Sequence, residues 1–212
     1  MVISFARVLL AVFLFSTACS SGHPEDVRAE VQPTPGRGKT LIVYLSRTGN
    51  TKAIAEYIQA RTGGDLVALE LQKPYSEDYR AAVDQVSEEN ERGYLPPLKT
   101  KIDGIEKYEV VFLGFPTWGM QLPPPVKSFL RQYDLSGKTV VPFNTNGGYG
   151  VGSSIQTIKE LCPESKMLDA FVTRGGLERD GELLAIEGER GKEAQAEVDE
   201  WLKRIGIISL SR

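Results

Sequence analysis

The chain has 212 residues, is 41% hydrophobic and 25% charged, and carries a formal net charge of −3. That suits one ordinary domain plus a short extension, and the absence of a basic stripe argues against nucleic acid. The one histidine, His23, lies near the N-terminus, which excludes a Ser-His-Asp triad or a histidine-rich metal site inside a folded domain; the two cysteines, Cys19 and Cys162, form no Cys-x-x-Cys, which argues against zinc ribbons, thioredoxin-type sites and iron–sulfur clusters.

Residues 1–18 place a lone Arg7 before an apolar run, followed by Ser16-Thr17-Ala18-Cys19. The run is shorter than the roughly 20 residues that span a bilayer, and its order of charge, apolar stretch and small residues predicts a secretory signal. Because Cys19 directly follows Thr17-Ala18, the segment resembles a bacterial lipoprotein signal, although Ser16 stands where that family usually has Leu. The resemblance implies a lipid anchor on Cys19 and, with Ser20 next to it, an outer-membrane location facing the periplasm where two membranes exist. Residues 19–38, with Pro33-Thr34-Pro35-Gly36, lack apolar periodicity and read as a flexible tether. Gly36-Arg37-Gly38-Lys39-Thr40 looks like the end of a P-loop, but the first Gly is missing and the segment precedes a strand instead of following one.

From residue 39 to 212 the pattern is that of one domain. Residues 41–45 form a continuous apolar run, as a strand buried on both faces requires. Residues 50–60 have helical apolar spacing at Ala53, Ile54, Tyr57 and Ile58. A second strand is expected over 65–71, a charged helix over 78–91 with Ala82, Val83 and Val86 inward, a third strand over 109–115 and a helix over 124–133. A fourth strand over 138–143, a helix over 151–161, a fifth strand over 167–172 and a helix over 194–205 complete the series. Alternating strands and helices predict an α/β fold: a doubly wound three-layer sandwich around a five-stranded parallel sheet, for which the order 2-1-3-4-5 is one of two common solutions. Ligands in such sheets bind beyond the carboxyl ends of the strands, where the winding reverses.

The loop after strand one is Ser46-Arg47-Thr48-Gly49-Asn50-Thr51. Hydroxyls, a Gly that permits close approach, and a helix N-terminus capped by Asn suit a phosphate, and equally suit a helix start with no ligand. The loop contains no Lys-Ser or Lys-Thr pair to hold a magnesium nucleotide, so a monophosphate fits better than ATP. This loop resembles that of the flavodoxins, Ser/Thr-x-Thr-Gly-x-Thr, at every fixed position, and the resemblance extends over most of the chain after residue 39. It implies FMN as cofactor. Arg47 is expected either to meet the phosphate or, slightly better, to point into water.

The loop after strand three is Pro116-Thr117-Trp118-Gly119-Met120, and the following Leu122-Pro123-Pro124-Pro125-Val126 strengthens the likeness to a bacterial subfamily with exported members. The resemblance implies that Trp118 packs on the flavin and that the Thr117–Gly119 backbone contacts it; burial of Trp118 against the next helix is the plain alternative. The loop after strand four is Asn144-Thr145-Asn146-Gly147-Gly148-Tyr149-Gly150, whose glycines admit a ligand edge and whose Tyr149 could cover the ring; the plain alternative is a flexible turn. Residues 173–190 exceed a minimal flavodoxin. Asp180-Gly181 between short apolar runs suggests a small hairpin, as a partner surface or an ornament. Cys162 reads as a buried structural thiol.

The resemblance thus implies an FMN-binding electron carrier of the cell envelope, passing one or two electrons between redox protein partners or small acceptors, with no metal and no side-chain acid or base. An NAD(P)H-dependent quinone or flavin reductase on the same fold is the first alternative, and a flavin-free binding module the second. A phosphorelay receiver needs an Asp at the end of strand three, where this chain has Phe115-Pro116.

Overall fold

The computed structural model describes residues 39–209; Cys19, the expected signal and the expected tether lie outside them. Strands β1 (Thr40–Tyr44), β2 (Asp65–Ala68), β3 (Val110–Pro116), β4 (Thr139–Asn146), β5 (Lys166–Met167) and β6 (Phe171–Arg174) alternate with helices α1 (Asn50–Thr62), α2 (Tyr79–Arg92), α3 (Pro124–Gln132), α4 (Ser154–Leu161) and α5 (Gly188–Arg204). All pairings between these strands are parallel, in the order β2-β1-β3-β4-β5, with β6 also on β4. The expected doubly wound architecture is therefore present.

Parallel strands are joined by helices that cover both faces, so the central strands are apolar at nearly every position. The two-residue period then sorts their side chains into two cores. Leu41, Val43, Val111, Leu113, Phe115 and Val140 meet Val126, Phe129 and Ile158 of α3 and α4. Ile42, Val110, Phe112, Val141 and Phe143 meet Ile54 and Ile58 of α1 and Val198, Trp201 and Leu202 of α5. Gly114 keeps room for the buried Phe143 ring across the ladder: a Cβ there would lie 2.2 Å from it.

Four details differ from the sequence expectations. The second strand stops at Ala68, and Leu71 makes only an isolated bridge to Leu98. β4 runs on through Asn144, Thr145 and Asn146, because these residues continue to pair, with Val172, Thr173 and Arg174. The fifth strand is broken into β5 and β6. Four residues of β4 from Val140 to Phe143 oppose five from Met167 to Phe171, the count of a bulge, and the Asp169 carbonyl turned out there accepts from the Trp201 indole (2.9 Å). The hairpin at Asp180-Gly181 does not form. A single 3-10 turn (Glu178–Asp180) takes its place, and the backbone of residues 183–186 bonds to the Asn50 side chain instead of to a partner strand.

Candidate functional site

The ladder β1–β3–β4 brings the three loaded loops to one edge. Tyr44 pairs with Gly114, and Gly114 with Phe143, so the chain leaves the sheet at neighbouring points after β1, β3 and β4. Side chains lock the loops together. The Thr51 and Thr145 hydroxyls share a hydrogen bond of 2.8 Å, joining the first loop to β4. Asn144, fully buried, donates to the Phe115 carbonyl and the Thr117 hydroxyl (both 3.0 Å) and accepts from the Asn146 amide at 3.1 Å. The Thr117 hydroxyl donates in turn to the Gly150 carbonyl at 2.8 Å.

A cleft of about 430 Å³ opens on this edge. Of the residues singled out in the sequence, Ser46, Arg47, Thr48, Asn50 and Thr51 line it from the first loop, Pro116, Thr117, Trp118 and Gly119 from the second, and Thr145, Asn146 and Gly147 from the third. Gly49, Asn144, Gly148, Tyr149 and Gly150 lie outside its lining. Asn144 is a scaffold beneath the floor. The Gly148 and Gly150 amides both donate to the Asn146 side-chain oxygen (2.9 and 3.0 Å), which holds the loop's shape. Tyr149 is 63% exposed and accepts from Arg179 at 3.3 Å.

The first loop presents an open helix end. Gly49, at φ +94°, occupies the N-cap position that the sequence suggested for Asn50, and no side chain caps α1. An N-terminus left without a side-chain cap offers N–H groups and the positive end of a helix dipole. Ser46 turns its hydroxyl inward to the Gly49 amide (3.2 Å). Lys52 stays exposed beside Glu56 at 3.7 Å.

The Arg47 guanidinium is engaged by protein groups and is not left to water. Its Nε donates to Glu178 (2.8 and 3.0 Å), Nη1 to the Ser76 carbonyl (2.8 Å) and Nη2 to the Glu77 carbonyl (2.9 Å). Asn50 makes the matching tie. Its amide donates to the Leu183 carbonyl (2.6 Å), and its carbonyl accepts from the Ala185 and Ile186 amides (2.9 and 3.0 Å). These bonds fold residues 175–186 across the first loop as a strap, and Gly175, Gly176, Leu177 and Glu178 line the cleft. Gly176 has no room for a Cβ, which would lie 2.4 Å from the Glu182 and Leu183 carbonyls.

In the second loop Gly119 (φ 55°) and Met120 (φ 59°) turn the chain back so that Trp118 bridges Gln121, the dihedral signs of a type I′ turn. Trp118, half-buried, presents its indole edge-to-face to Tyr75 (centroids 5.4 Å apart). The Tyr75 hydroxyl donates to buried Glu89 at 2.5 Å. Burial first, and this bond second, push the Tyr75 phenol well above the usual tyrosine range.

Sequence reasoning missed the part of the lining that comes from α2 and the segment before it. Tyr75, Tyr79, Ala82, Val83 and Val86 line the cleft from α2 and the segment before it. The helical spacing of 82, 83 and 86 was legible, but it was assigned to the core. Among the described residues that line the cleft, Arg47 is the one cation, and Glu91 and Glu178 are the acids.

A family model described as flavodoxin matches residues 39–184. A flavoprotein candidate from Bacteroides eggerthii is 29% identical, with a TM-score of 0.65 over 80% of this chain and 99% of that one. A second, from Bacteroides uniformis, is 25% identical, with a TM-score of 0.60 over 68% of this chain and 94% of that one. A Lactobacillus acidophilus flavoprotein, solved in complex with FMN, shares the fold at 20% identity and a TM-score of 0.59, covering 77% of this chain and 98% of that one. No curated protein matches the chain.

Proposed function

The chain belongs to the flavodoxin family, and we propose that it is an FMN-binding electron carrier held at the bacterial cell envelope by a lipid on Cys19. The residues fit the cofactor. Its phosphate suits the α1 N-terminus, which lacks a side-chain cap, with the Thr48 and Thr51 hydroxyls beside it. Its ring suits the apolar part of the same cleft, where Trp118 offers an aromatic surface. The observation that carries the reading is this pairing of an open helix end and an aromatic wall in one cleft.

FMN supplies the one- and two-electron chemistry when bound. The chain's share is to bind, orient and tune. The strap covers part of the first loop, Trp118 supplies packing, and Glu91 in the lining disfavours added negative charge, whereas Glu178 is offset by Arg47. No side-chain acid or base is needed, in keeping with a sequence whose one histidine is His23.

A carrier is favoured over a nicotinamide-dependent reductase because Arg47, the one cation in the lining, is already spent on Glu178. Among the described residues of the lining, no other side chain offers a positive charge to the diphosphate of a dinucleotide. Titration of the purified protein with FMN is the test: flavin fluorescence is quenched, and visible absorption bands co-elute with the protein on gel filtration. Absence of both sinks the cofactor reading, and steady-state NADH oxidation would sink the carrier reading in favour of the reductase. For the anchor, Cys19→Ser should move the protein from the membrane to the soluble fraction; retention on the membrane would remove the lipid from the account.

A further inference from the structure

Trp118 and the α2 residues Tyr79 and Val83 all line the cleft, and Tyr149 is not part of it. We propose that the cofactor's ring is held between Trp118 and the α2 stripe of Tyr79 and Val83, and that Tyr149 takes no part in retaining it. This rests on the FMN reading above.

Tyr79 and Val83 are four residues apart, so they share a helix face, and Val86 continues it. Ala82 and Val86 are buried, whereas Val83 is 45% exposed and Tyr79 37%. Large apolar side chains left open singly need no explanation, but these two converge on the interior of one cleft beside a half-buried Trp. Burying them against a flat ring removes apolar surface from water on both partners. The stripe runs on to Ser87 and Asn90, also in the lining, where the apolar wall gives way to groups that form hydrogen bonds. Asn90 is held in place by Lys127, which donates to its side-chain oxygen at 2.8 Å.

Tyr149 has the opposite surroundings. It stands on a loop whose Gly148 and Gly150 amides are bonded inward to Asn146. Its hydroxyl accepts from Arg179, and Arg179 is itself paired with Asp180 at 2.9 Å. The ring therefore sits on the outer rim with its polar end engaged.

The test is the FMN dissociation constant, read by quenching of flavin fluorescence, for the unaltered protein and for Val83→Glu, Tyr79→Ala and Tyr149→Ala. Val83 is exposed on a helix and Glu is a good helix former, so folding should survive; far-ultraviolet circular dichroism and a melting curve check this. Val83→Glu is expected to weaken FMN binding at least tenfold and Tyr79→Ala severalfold, with Tyr149→Ala within twofold of the unaltered protein. Val83→Glu within twofold, or a tenfold loss in Tyr149→Ala, overturns the assignment. Should the unaltered protein bind no FMN, the functional reading falls and this assignment with it.

Discussion

Asn50 illustrates how a residue type can be legible while its task is not. The sequence marks it as a helix cap in a loop suited to phosphate, and it stands at the start of α1 and lines the cleft. Gly49 takes the cap position, and the Asn50 carboxamide bonds to three backbone groups more than 130 residues away. No local pattern contains that information, because the partner is backbone and backbone has no sequence signature. Removing the side chain leaves the Leu183 carbonyl and the Ala185 and Ile186 amides without it. Asn50→Ala is accordingly expected to cost about 2–3 kcal/mol, measured by urea unfolding, a loss well beyond that of an exposed Asn. Arg47 teaches the same lesson: an arginine at a phosphate loop invites an anion, yet Glu178, remote in sequence, claims it.

At the scale of elements, the order of strands and helices was readable because a buried parallel sheet leaves continuous apolar runs and its helices leave stripes. Ends and interruptions were not. Asn144-Thr145-Asn146 has the composition of a turn, and only pairing with β6 makes it strand. The break between β5 and β6 serves a tryptophan thirty-two residues further on. Where two strands interlock, a single methyl group is decisive. In β3 a Cβ on Gly114 would meet three atoms of the Phe143 ring between 2.2 and 2.9 Å, and that ring is fully buried with nowhere to move. Gly114→Ala should therefore destabilise the protein by about 3 kcal/mol, seen as a lowered melting temperature. Gly119→Ala meets no atom within 4 Å and should cost only the strain of its positive φ.

For the molecule as a whole, stability toward alkali follows from its tyrosines. Tyr44, Tyr57, Tyr75 and Tyr108 are all held above the ordinary value of 10.0, burial being the largest cause in each. Nearby acids reinforce it, as in the Tyr108 hydroxyl's bond to Asp65 at 2.5 Å. A phenol raised in the folded state contributes stability that is fully present below the unfolded value and is lost as pH rises through the folded one. The urea midpoint should hold level from about pH 7 to 9 and fall above about 10. Tyr75→Phe lowers stability at neutral pH, because Glu89 loses a donor, and should make the alkaline decline shallower. An unchanged slope in that variant would contradict the account.

The strap carries a consequence for how the site comes into being. Residue 47 is tied to residue 178 across 131 positions, and residue 50 to residue 186 across 136. A polypeptide made or threaded from its N-terminus displays the first loop early and its cover only after α4 and β6. Through all the intervening synthesis that loop has hydroxyls and amides but no roof, and contacts this distant form late in any case. Completion of the cleft thus reports that the chain has arrived through residue 186.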